Sequence, residues 1–108
     1  MGTNVHVRTV GGSPTVVQQA ELRLAALEGR WSRFRTGSDI SELNRSAGQW
    51  VPVGTDTILL LERAVEAARA TDGRFDPTVG AALISHGYDR TFAAVAAHAC
   101  ELVPTPVI

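Results

Sequence analysis

Thr3-Asn4-Val5-His6-Val7-Arg8-Thr9-Val10 is the stretch on which the fold class turns. Val5, Val7 and Thr9 alternate with His6 and Arg8, the period of two that gives a strand one buried face, before Gly11-Gly12-Ser13-Pro14 stops the run. The alternation predicts a strand over residues 3–10. A second extended candidate, Gln49-Trp50-Val51-Pro52-Val53, contains a proline that cannot donate to a ladder, so it is expected as an edge strand or an extended loop. The expected fold class is therefore α+β, with helices packed on a small mixed or antiparallel sheet.

Outward from that strand the pattern turns helical. Ser13-Pro14 reads as an N-cap followed by the first helical position, and Ala20, Leu24, Leu27 and Trp31 continue one face, which predicts a helix from about Pro14 to about Arg30. Ser38-Asp39-Ile40-Ser41-Glu42-Leu43-Asn44 reads as a short helical turn, with Asp39 as its cap and Glu42 three residues later. Thr55 opens a second long helix, whose expected apolar stripe is Ile58, Leu61, Val65 and Ala68, with Glu62, Arg63, Glu66 and Arg69 on the solvent side; Thr71-Asp72-Gly73 closes it. Asp76-Pro77 repeats the cap-then-proline signal and Gly87 marks a stop, so a third helix is expected over residues 77–86. Beyond it the chain is alanine-rich, and Leu102 to Ile108 is apolar and broken by Pro104 and Pro106. Such an end needs something to pack on, and suggests a chain that stops before its domain does.

Composition excludes several classes of function. The 108 residues carry ten arginines against eleven carboxylates, a formal net charge of −1, whereas a nucleic-acid footprint shows as clustered positive charge. No nucleic-acid partner is expected. The strongest apolar run, Ile58-Leu59-Leu60-Leu61, is far short of the ~20 residues that span a bilayer. The single cysteine, Cys100, closes no internal disulfide.

The residues that bear chemistry are few. His6, His86 and His98 have no metal-ligand spacing, and neither a phosphate loop nor a nucleophile elbow is present. Asp72 and Asp76 read either as two carboxylates of a site or as a turn residue followed by a helix cap, and Asp before Pro favours the cap. Arg30, Arg33 and Arg35 cluster after the first helix, where guanidinium groups could hold a pyrophosphate or simply complement the helix dipole. Of the two nearby aromatics, Trp31 continues the helix stripe, while Phe34 is the freer to offer a ring face to a flat cofactor.

Taken together, Met1-Gly2-Thr3, Trp31-Ser32-Arg33-Phe34-Arg35, Ser38-Asp39-Ile40-Ser41-Glu42-Leu43-Asn44, Thr71-Asp72-Gly73-Arg74-Phe75-Asp76-Pro77-Thr78-Val79-Gly80 and Gly87-Tyr88-Asp89-Arg90 resemble the amino-terminal half of the ApbE family, the FAD:protein FMN transferases. The resemblance runs from Met1 to about Phe92. It implies a domain portion over residues 1–92, followed by a divergent or truncated tail over 93–108, the chain being an incomplete N-terminal part of a larger domain.

The resemblance also implies a chemistry. The family uses FAD and a divalent cation, usually magnesium, to attach FMN through a phosphoester bond to a threonine of a target flavoprotein, with AMP as the leaving group. On the matching motifs, Met1 falls at a flavin-contacting methionine, Phe34 at an aromatic set against FAD, and Arg74, Phe75 and Asp76 in an FAD-contacting turn. No catalytic and no metal-binding residue carries over, because the family's metal-binding motifs lie in its carboxy-terminal half. The expected partners are FAD and a target flavoprotein, and the expected location is the cytoplasm. The alternatives are a non-catalytic helical scaffold that self-associates and a flavin-binding remnant.

Overall fold

A computed structural model of the chain describes residues 3–102, with side chains as far as Ala97. In chain order the helices are α1 (Pro14–Trp31), α2 (Asp39–Arg45), α3 (Thr55–Ala70), α4 (Gly80–Ser85) and α5 (Phe92–Leu102). The proline-broken end at residues 103–108 lies outside the described residues.

The α+β expectation is corrected to a helical fold. Among the described residues no strand forms, and residues 3–10 make no backbone hydrogen bond to another segment. The alternation at Val5, Val7 and Thr9 specifies which face of a strand would be buried, but a strand exists only when a second extended segment lies alongside to satisfy its N–H and C=O groups. The other candidate, residues 49–53, is irregular and leads directly into α3. Val5 and Val10 consequently stand 59% and 98% exposed.

Helix α1 follows its sequence signals. Ser13 caps it, its hydroxyl accepting from the Thr15 N–H with Pro14 at the first turn, and Ala20, Leu24, Leu27 and Trp31 are its half-buried face. α2 and α3 both pack against α1. At α2 the cap is Ser38 rather than Asp39: the Ser38 hydroxyl accepts from the Ser41 N–H at 3.1 Å and donates to the Ser32 carbonyl at 2.6 Å. That frees Asp39 for α3, where its Oδ2 accepts from the Gly54 N–H at 3.1 Å and from the Thr57 hydroxyl at 2.5 Å. α3 begins at a glycine with no side-chain cap of its own, so a carboxylate from the neighbouring helix does the capping and also complements the dipole. The Arg30 guanidinium lies directly over Gly54, so a side chain there would displace it. Arg23 of α1 adds a 2.5 Å ion pair to Asp56 in the first turn of α3.

This polar knot replaces an apolar centre. Ser38 and Thr57 are the two fully enclosed side chains, and no hydrophobic residue among those described is fully buried. The knot also sets the rotation of α3. Its inner line runs from the buried Thr57 through the half-buried Leu61, Ala64 and Ala68, so Leu61 and Ala68 of the expected stripe lie on it while Ile58 and Val65 are 47% and 44% exposed. The run from Ile58 to Leu61 is apolar on every side and so selects no face; the Thr57–Asp39 bond does.

α4 starts later than the cap-then-proline signal implies. The Asp76 carboxylate accepts from the Thr78 N–H and hydroxyl at 2.8 and 2.6 Å, closing a turn through Pro77 and Thr78, and the helix begins only at Gly80. Its end is as expected: Gly87, at φ +93°, donates to the Ile84 carbonyl and Tyr88 to that of Leu83, a Schellman closure. α5 adds to the expected helices, in an alanine-rich stretch whose propensity favours it, and starts where the Thr91 hydroxyl accepts from the Ala94 N–H at 3.4 Å.

Candidate functional site

The Asp76 turn and α4 form one wall of a cleft of about 830 Å³ whose other wall is the α1–α2 corner and the outer face of α2. That volume lies within the range of small-molecule sites. Ser41, Asn44 and Arg45 contribute from α2 because positions three and four apart share a helix face. Phe34 enters from the corner and Asp76 from the turn opposite, with Leu83 and Ile84 of α4 supplying apolar surface. The cleft thus has a polar, cationic side and an apolar one.

Each site residue has a definite local cause. The corner backbone is held by two α2 hydroxyls, Ser38 donating to the Ser32 carbonyl and Ser41 to that of Arg33 at 3.2 Å. This fixes where Phe34 leaves the chain. The Asp76 carboxyl is held below the ordinary aspartate value, first by the Thr78 hydroxyl and then by the Thr78 N–H, so it stands ionised as a hydrogen-bond acceptor. Arg45 is paired with Glu42 on its own helix and also reaches the Thr36 carbonyl at 3.4 Å.

The structure brings Phe34 and Asp76 together in this cleft. Arg74 and Phe75 lie on the exposed turn just ahead of it, where the Phe75 N–H donates to the Thr71 hydroxyl at 3.0 Å, and neither lines it. Met1 lies outside the described residues. Asp72 is not part of the cleft and takes a left-handed conformation, φ +49°, in the turn that ends α3.

The three arginines at the end of α1 and just beyond it do separate jobs. Arg30 lies against Gly54 and Asp39, Arg35 faces Glu28 at 3.9 Å, and the Arg33 guanidinium sits 4.2 Å from the Phe34 ring centroid and 4.6 Å from that of Tyr88. Arg33 also donates to the Tyr88 carbonyl. From sequence, Arg33 is one of a cluster that holds a pyrophosphate or complements the helix dipole, and neither Tyr88 nor the α2 face has a role. The signal was present for the last of these, in the spacing of Ser41, Asn44 and Arg45, but Tyr88 is brought in only by the turn after α4.

The family model described as the ApbE family matches residues 1–104 of the chain. The chain belongs to the ApbE family. Among curated proteins and solved structures, none matches it. Within this ApbE-family chain, no group of three or more His, Cys, Asp or Glu converges among the described residues. No helix among them is long and apolar enough to cross a membrane.

Proposed function

We propose that the cleft between α2 and the Asp76 turn is a flavin site, and that the chain serves FAD:protein FMN transfer. FAD is then the substrate, AMP the leaving group and a threonine of a target flavoprotein the acceptor. The observation that carries this is the convergence of Phe34 and Asp76, distant in sequence, on the two walls of one cleft. Family membership supplies the reaction class.

The cleft's own residues divide the work. Phe34 offers an aromatic face to a planar ring, and Asp76, ionised and oriented by Thr78, accepts from a ring N–H. Arg45 lines the α2 side, and although Glu42 pairs with it, its guanidinium keeps donors for a diphosphate oxygen of FAD. The donor set does not fit a magnesium ion: the one carboxylate lining the cleft is Asp76, whose Oδ1 is engaged by Thr78, while magnesium takes oxygen ligands in octahedral geometry. No metal-dependent step is therefore assigned to these residues.

Titration with FAD, with and without magnesium, followed by quenching of flavin fluorescence, tests the reading. Saturable quenching is expected, with Phe34→Ala weakening the affinity about tenfold, the equivalent of about 1.4 kcal/mol of lost ring contact. Absence of quenching up to millimolar FAD overturns it.

A further inference from the structure

We infer that Arg33 is a positioning residue for the cleft, clamping the turn after α4 onto the α1–α2 corner and fixing the Phe34 ring between them. The inference rests on the flavin reading for its functional consequence and on geometry alone for the clamp. α4 does not pack on the three-helix unit as α2 and α3 pack on α1, yet it forms a wall of the cleft. Something other than helix packing has to hold that wall in place.

Arg33 has the reach and the chemistry to do so. Its backbone is pinned at the corner by Ser41, its guanidinium stacks against both Phe34 and Tyr88, and it donates to the Tyr88 carbonyl at the closure of α4. The two rings stand 5.7 Å apart at 60°, a tilted pair in contact with the same cation. Planar, delocalised and permanently charged, a guanidinium can stack on a ring face and donate in its own plane at once, which an ammonium cannot do with the same geometry. Arg33 and Phe34 both line the cleft, so a change at Arg33 alters the corner itself, the ring that faces the ligand and the position of the opposite wall.

The chain has a single tyrosine, so ring-labelled tyrosine gives one NMR signal that reports the clamp without any ligand. Arg33→Met, which keeps the length and loses the charge and the donors, is expected to shift that signal and to weaken FAD about tenfold. Arg33→Lys, which keeps the charge, is expected to recover about half of that loss on a logarithmic scale. In a Tyr88→Ala background, which keeps the carbonyl that accepts from Arg33, Arg33→Met is expected to add a smaller loss than it causes alone, because the two changes share the ring contact. A tyrosine signal unchanged by Arg33→Met, with the helical circular dichroism intact, overturns the clamp. A shifted signal with unchanged FAD affinity leaves the clamp standing and overturns its role in the cleft. If the unmodified chain fails to bind FAD, the flavin reading and the positioning role both fall, and the tyrosine signal still decides whether the clamp exists. Should Arg33→Met fail to fold, Arg33→Lys carries the tyrosine-signal comparison, and Tyr88→Ala, which removes that signal, carries the FAD-affinity comparison.

Discussion

Asp39 ties α2 to the start of α3 through the Gly54 N–H and the Thr57 hydroxyl. Its carboxyl is held below the usual aspartate value, first by the Thr57 hydroxyl, then by the Gly54 N–H and the charge of Arg30, against an opposing effect of burial. Because the folded value is depressed, its contribution to stability is fully present above the unfolded value and is lost as pH falls through the folded one, so the acid side below about pH 4 is where it disappears. Thr57→Val keeps the shape of an enclosed side chain and removes one donor. It is expected to raise the Asp39 titration midpoint towards the ordinary value, measured by carboxyl NMR, and to cost about 1–2 kcal/mol in urea denaturation. An unmoved midpoint would mean that the Gly54 N–H and Arg30 suffice. None of this was legible in the sequence, where Ser38 and Asp39 are equally good caps for α2 and the reading chose the wrong one. Only the neighbouring N-terminus of α3, bare at Gly54, decides between them.

At the scale of the element, ends proved easier to read than faces. Ser13-Pro14 and Gly87 mark the limits of α1 and α4 through local chemistry, a hydroxyl that accepts an N–H and a residue free to take positive φ, and such signals survive any packing. The exposed faces of α3 did not, because Ile58 and Val65 are as apolar as Leu61 and only the tertiary bond from Thr57 chooses among them. Half of the cleft was legible for the same reason: Phe34 and Asp76 sit in recognisable local motifs, whereas Arg33 and Tyr88 meet only through the chain's path. The end of α3 yields a prediction of its own. Its Schellman closure, with Asp72 donating to the Arg69 carbonyl and Gly73 to that of Ala68, places Asp72 at the left-handed position usually held by glycine. Asp72→Gly removes the steric cost of that conformation and is expected to stabilise the fold by about 0.5–1 kcal/mol, read as a higher urea midpoint at unchanged slope. A loss of stability instead would show that the Asp72 side chain contributes more than its backbone costs.

Over the whole molecule the defining property is incomplete closure. The radius of gyration is 17.8 Å, against about 13 Å for a compact chain of this length. The accessible surface is 8933 Å², where a folded monomer of this mass exposes about 5800 Å². Closure is uneven: α1, α2 and α3 share a polar-capped junction, while α4 meets the rest chiefly across an open cleft and residues 3–10 make no backbone hydrogen bond to another segment. The sequence could not show this, since strand alternation and apolar stripes state what a segment would bury without stating whether anything is there to bury it. Amide exchange should reproduce the unevenness, because protection depends on the free energy of local opening and that free energy on enclosed contacts. The amides of α1 and the middle of α3 are expected to be the slowest, those of α4 faster by at least tenfold, and those of residues 3–10 close to the rate of an unstructured chain. Exchange at one common rate across α1, α3 and α4 would instead show that the chain opens only as a unit, with the cleft walls as firmly joined as the three-helix junction. Saturating FAD distinguishes a ligand that bridges the cleft: protection should then rise in α4 while α1 changes little, because a bound molecule adds to the stability of the elements it holds together.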